Sequence, residues 1–218
     1  CETDARTPQK TRKNDKPVMN ETPGSFQEKL YETALSEGKQ SFQKLMDKYP
    51  GETFYGICLY TNNDLRGVYP FANTVEGLKR SGYGWDDEEK WIPGESWGLE
   101  FGEDDKTQMP ETTSLLIDAS DDYAQDEQAA KARYGDFNQF KPTTIATLSR
   151  ALVTVRDSGI FKNRMIHDRM AYWVHIGDSH GQERKWMFQP VIKHLNEQDA
   201  KELQSLFELD GMIERDLN

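Results

Sequence analysis

Phe54-Tyr55-Gly56-Ile57-Cys58-Leu59-Tyr60, then Thr61-Asn62-Asn63-Asp64, then Leu65-Arg66-Gly67-Val68-Tyr69-Pro70-Phe71, is the stretch that decides the fold. Two runs rich in aromatic and branched side chains flank four polar turn formers, the pattern of a β-hairpin. Strands are therefore predicted over residues 53–60 and 65–71 with a turn at 61–64. Cys58 sits inside the first run, where a lone thiol acts as a small buried hydrophobe.

Upstream of the hairpin, Ser25-Phe26-Gln27-Glu28 has the spacing of a capping box. From there Phe26, Leu30, Ala34, Phe42, Leu45, Met46 and Tyr49 recur at helical intervals, with Gly38 a weak point, until Tyr49-Pro50-Gly51 ends the helix. Downstream, Asn73-Thr74-Val75-Glu76 offers a second capping box for a short helix that ends near Ser81-Gly82. Pro110 starts a helix running toward Ala132, and Pro142 opens another that ends at Gly159. Residues 170–176 read as a strand, 186–192 as a strand interrupted by Pro190, and Asn196 caps a last helix carrying Leu203, Leu206 and Phe207. A few strands and irregularly spaced helices, without repeats, predict an α+β fold: an antiparallel or mixed sheet covered by helices.

The 218 residues suit a single domain over 25–218, preceded by a polar stretch at 1–24. Glu2 to Gly24 holds three prolines and almost no bulky apolar side chain before Val18, so it cannot offset its ordering entropy and is expected to be disordered. Cys1 followed by such a stretch resembles a mature bacterial lipoprotein, which implies lipid attachment at Cys1 and membrane contact through that lipid only. Glu2 rather than Asp after the Cys implies the periplasmic face of the outer membrane within the cell envelope. With Cys1 on a polar terminus and Cys58 in a strand, no disulfide between them is expected.

The net charge is -11, and it is concentrated. Residues 85–127 hold fifteen acids and two bases, Lys90 and Lys106, so this fifth of the chain carries the whole negative balance. Such a chain is a poor general ligand for nucleic-acid phosphates but a good one for a basic protein partner, since a concentrated field raises association rates. Asp86, Asp87, Glu88, Glu89, Asp104, Asp105, Asp118, Asp121 and Asp122 are the candidate docking carboxylates, with Trp91 among them as an aromatic anchor. The competing reading is a set of solvated loops and an acidic helix face, with Trp85, Trp91 and Trp97 as core anchors.

Catalytic and metal motifs are weak. Asp118-Ala119-Ser120-Asp121-Asp122 is dense in oxygen ligands but has Tyr123 where a calcium-binding loop needs glycine. His167, His175, His180 and His194 lack zinc spacing. Gly94-Glu95-Ser96-Trp97-Gly98 spells a Gly-x-Ser-x-Gly motif, yet neither a buried strand before it nor a helix after it supplies a nucleophile elbow. No catalytic residue, metal ligand or cofactor is assigned. A small envelope hydrolase using carboxylates or Ser96 stays open as the alternative to a non-enzymatic binding protein.

The hairpin residues 54–64, with Val68-Tyr69-Pro70-Phe71 and Asn73-Thr74-Val75-Glu76-Gly77-Leu78, resemble the bacterial family called domain of unknown function 4303. Trp91-Ile92-Pro93 and Glu95-Ser96-Trp97-Gly98 resemble its Trp-x-Pro and Glu-Trp elements, with Ser96 inserted in the second, and Leu195-Asn196 its closing pair. The resemblance covers roughly residues 25–210. It implies an immunity-type protein that binds and neutralises a secreted toxin, and it transfers no catalytic residue.

Overall fold

A computed structural model describes residues 22–85, 88–91, 98–99, 109–161, 163–166, 171–192 and 195–206. Its first helix, α1, spans Pro23–Lys48. The capping box lies three residues upstream of the expected one: the Thr22 side chain accepts from the Ser25 N–H at 3.3 Å and Ser25 Oγ accepts from the Thr22 N–H at 2.8 Å. Pro23 explains the shift, because its fixed φ suits the first helical position and it has no N–H to satisfy there. Phe26, Leu30, Ala34, Phe42, Leu45 and Met46 face the core as expected. Gly38 has a packing reason: a Cβ there would meet Val155 Cγ2 at 3.2 Å, so the missing side chain lets α1 approach the helix opposite it.

The hairpin forms from β1, Phe54–Thr61, and β2, Val68–Thr74, antiparallel with Cys58 opposite Phe71 and Tyr60 opposite Tyr69. Its turn is longer than predicted. Leu65 adopts a φ of 55° and donates its N–H to Asn62 O at 3.0 Å, while Asn62 Oδ1 accepts from the Arg66 N–H at 2.7 Å. That side-chain bond holds 62–66 as a folded tip and delays the second strand to Val68. Thr74, not Asn73, caps α2 (Val75–Arg80), accepting from the Gly77 N–H at 3.0 Å. Asn73 is buried in the sheet, donating to Lys90 O at 3.2 Å, and Glu76 reaches back to the Thr53 N–H at 2.6 Å and Thr53 Oγ at 2.9 Å. Burial pushes the Glu76 carboxyl up, but those two bonds together with Lys79 leave it below its usual range.

The predicted helix toward Ala132 is two helices. α3 covers Pro110–Gln125 and α4 covers Glu127–Tyr134, broken at Asp126, whose extended backbone lets its carboxylate cap α4 by accepting from the Ala129 N–H at 3.0 Å. α5, Phe137–Asp157, starts five residues before Pro142 because Asp136 caps it, accepting from the Asn138 N–H at 3.1 Å; Pro142 sits inside the helix. β4, Ala171–Ile176, pairs parallel with β1. With β3, Gly98–Leu99, the sheet order is β3-β2-β1-β4, so the sheet is mixed and the α+β fold is as expected. Seven of the eight β1 residues are buried, as befits a central strand covered on both faces.

The strand expected over 186–192 is a helix, α6, Gln182–Ile192. Met187, Phe188, Val191 and Ile192 are its buried residues, a helical spacing rather than the alternation of a strand. α7, Glu197–Leu206, is capped by Asn196, which accepts from the Asp199 N–H at 2.9 Å. α1 and α5 pack on each other and against the sheet in one continuous core. Cys58 is buried and free. Among the described residues no helix is long and apolar enough to cross a membrane.

Candidate functional site

One end of the molecule gathers the hairpin tip, the C-terminal end of α3, the start of α4, the start of α5 and one side chain of α6. Between them lies an open groove of about 710 Å³ lined by Asn63, Asp64, Arg66, Tyr123, Glu127, Phe137, Phe140, Lys141 and Trp186, among others. Its floor is an aromatic lattice: Tyr123 packs edge-on against Phe137 at 5.1 Å and against Phe140 at 5.2 Å between ring centres. Behind it, Tyr134 meets Phe26 at 4.8 Å, tying the lattice to α1. Such offset and edge-on pairs resist rearrangement beyond what burial alone supplies.

Polar bonds hold the walls. Tyr123 donates its hydroxyl to Gly135 O at 2.7 Å, fastening α3 to the α4–α5 corner. Burial, with the Asp136 charge nearby, pushes this hydroxyl up to about 12, so it stays a donor throughout the physiological range. Tyr134 Oη and Arg133 Nη1 both donate to Asp122 Oδ2 at 2.6 Å. From the other helix, Glu37 of α1 accepts from the Glu111 N–H at 2.9 Å, the Thr112 N–H at 2.8 Å and Thr112 Oγ at 2.6 Å, capping α3 from outside. No local pattern forecasts that long-range cap.

The lining charges divide in two. Both cations are held internally: Arg66 pairs with Asp121 at 2.8 Å, and Lys141 pairs with Glu183 and Asn63. Burial raises the Glu183 carboxyl, but the Lys141 ammonium, the His180 N–H and their charges leave it below its usual range, as an ionised partner must be. By contrast Asp64 and Glu127 are exposed and have no ion-pair partner among the described residues. Phe137 is 57% exposed, an unusual position for so large an apolar ring.

The expected docking residues are dispersed by this geometry. Asp118, Asp121 and Asp122 lie on α3, where Asp118 is exposed while Asp121 and Asp122 are paired with Arg66 and Arg133. Glu88 and Glu89 fall in a short 3-10 turn at Glu88–Trp91. Cys1, Asp86, Asp87, Ser96, Asp104 and Asp105 lie outside the described residues. Trp91 corrects the expectation: it is 3% exposed, and its indole N–H donates to Glu202 Oε1 at 3.2 Å, so it anchors the core instead of presenting a surface. Lys90 is also buried, with Nζ 2.8 Å from Glu202 Oε2 and 3.0 Å from Trp85 O, above the rings of Trp85 and Trp91.

Phe137, Tyr123, Asp64 and Glu127 were not singled out by sequence. Phe137 stands upstream of Pro142, the expected opening of the helix, so no periodic pattern includes it; it occupies the first turn of α5 and is exposed there.

A family model described as Domain of unknown function (DUF4303) matches residues 25–197. No curated protein and no solved structure matches.

Proposed function

The chain belongs to the family described as Domain of unknown function (DUF4303), and from that premise and the groove we propose that it is a non-enzymatic binding protein that docks and neutralises a basic partner protein, an immunity-type role against a secreted toxin. The observation that carries this reading is the open groove whose lining includes the exposed ring of Phe137 and two acidic residues, Asp64 and Glu127, that make no ion pair among the described residues. Aromatic anchors surrounded by polar rims are the anatomy of protein–protein hot spots. Acidic charge at the rim steers a cationic partner and fixes its register. Binding alone neutralises such a partner when it covers the partner's working surface, and an ordinary interface buries about 1,600 Å².

The direct test is capture of the protein encoded beside this gene, comparing the native chain with Phe137→Ala. A partner that is basic, held by the native chain, released by raised salt and lost on Phe137→Ala supports the reading. A neutral or acidic partner, or one unaffected by the substitution, overturns it. The proposed envelope tether through a lipid on Cys1 is tested by palmitate labelling of cells expressing the full gene, where label absent from the protein removes that part.

A further inference from the structure

Within the groove, the charges specify what enters. Asp64 comes from the hairpin tip and Glu127 from the first turn of α4, so two acidic residues line the space from different elements. Arg66, Lys141 and Lys131, the last one turn along α4 from Glu127 and acting on it through its charge, would neutralise them if free, but each is already held by another acid, Asp121, Glu183 or Asp136. Beneath lie the exposed ring of Phe137 and the rings of Tyr123, Phe140 and Trp186. A cation with a flat apolar face matches both features at once.

We propose that the groove is a receptor slot for an arginine side chain of the basic partner, its guanidinium set against the Phe137 ring between the carboxylates of Asp64 and Glu127. The proposal rests on the partner-docking reading above and adds the chemistry of the residue recognised. Arginine is chosen over lysine because its planar guanidinium stacks on rings and offers five donors in a fork able to serve two carboxylates, whereas an ammonium is a compact, strongly hydrated point charge. The fold already uses the pairing internally: Arg150 lies 4.0 Å over the Tyr31 ring centre and Arg156 4.4 Å over that of Tyr172.

The test is an NMR titration of the full chain with N-acetyl-arginine amide, N-acetyl-lysine amide and the uncharged isostere N-acetyl-citrulline amide. The slot requires saturable shifts of the Phe137 ring and Glu127 signals with arginine amide, and binding at least about tenfold weaker for citrulline amide and for the Asp64→Asn/Glu127→Gln variant, whose Tyr134 signals should stay native. Absence of saturable shifts, equal response to citrulline amide, or an unaltered response in the double variant overturns the slot; equal binding of lysine amide overturns the preference for a guanidinium. If arginine amide fails while the neighbouring gene's basic protein is still captured through Phe137, the slot falls and the docking reading stands. If arginine amide binds in the groove but no basic protein is captured, the slot is supported and the wider reading falls.

Discussion

Two clusters in the acidic stretch and its surroundings are built from similar parts and behave oppositely. Around Lys90, the rings of Trp85 and Trp91 and the carboxylate of Glu202 enclose a cation that is 3% exposed, with its donors directed to Glu202 and to Trp85 O. In the groove, the rings of Tyr123 and Phe137 stand beside Asp64 and Glu127, which make no ion pair among the described residues; Glu127 feels the charge of Lys131 one helical turn away, but that ammonium is bonded to Asp136 at 2.6 Å. The first cluster is complete and fastens α7 to the 88–91 turn; the second has no cation in ion-pair contact with Asp64 or Glu127 among the described residues. Aromatic and charged residues together therefore mean little until each charge is traced to its partner. A satisfied cluster stabilises the fold, and an unsatisfied exposed one is available to a ligand.

Breaking the satisfied cluster should have the largest effect. Lys90→Ala strands the Glu202 carboxylate beside two tryptophans and should cost about 2–4 kcal/mol in urea denaturation, somewhat below a fully buried pair because Glu202 is 23% exposed. A loss under about 1 kcal/mol would show that the clasp is only a surface ion pair.

Acid tests a third, neutral site. His175 stacks on Tyr60 at 5.7 Å between ring centres, its Nδ1 has no hydrogen-bond partner among the described residues, and burial pushes its pKa down to about 4. The unfolded chain takes up this proton near pH 6.5, so the neutral ring's contribution is intact above that pH and is lost as pH falls from about 6.5 toward 4. The loss should reach about 2–3 kcal/mol. It should vanish in His175→Phe, measured as the difference between the two proteins' pH profiles of stability.

Removing the long-range cap sits between the clusters in size. Glu37→Ala leaves the first N–H groups of α3 without their acceptor and should cost about 1–2 kcal/mol. Because α3 forms one wall of the groove, its amides should lose hydrogen-exchange protection before those of β1. The smallest effect on stability should come from Phe137→Ala, about 0.5–1 kcal/mol, because more than half of the residue is already in water and the loss is chiefly its edge-on contact with Tyr123. The same substitution should nevertheless weaken partner capture by about tenfold or more, as expected of an aromatic anchor. Equal, small effects on both would remove Phe137 from the site.

Where the sequence pattern was read correctly, the signal was local and repeated. The α1 stripe, the hairpin and the Asn196 cap depend on neighbours a few residues apart. The misread places are competitions. At the start of α1, Pro23 and Thr22 outrank the equally plausible Ser25–Glu28 box. At α2, Asn73 is drawn into the sheet by Lys90 O, leaving the cap to Thr74. Over 186–192, Pro190 and an apolar run fit either period, and packing against β4 settles it as helix.

By itself the sequence determined a single α+β domain built around the 54–74 hairpin and a negative charge concentrated over 85–127, because periodicity, turn chemistry and composition are written in adjacent residues. Only the tertiary structure decided which of the described charges are paired. Arg66 reaches Asp121, Arg133 reaches Asp122 and Lys90 reaches Glu202 across separations of 55, 11 and 112 residues, and these pairings remove candidates that composition counts as equal. The physical reason is that an ion pair depends on distance in space, whereas composition records only how many charges there are.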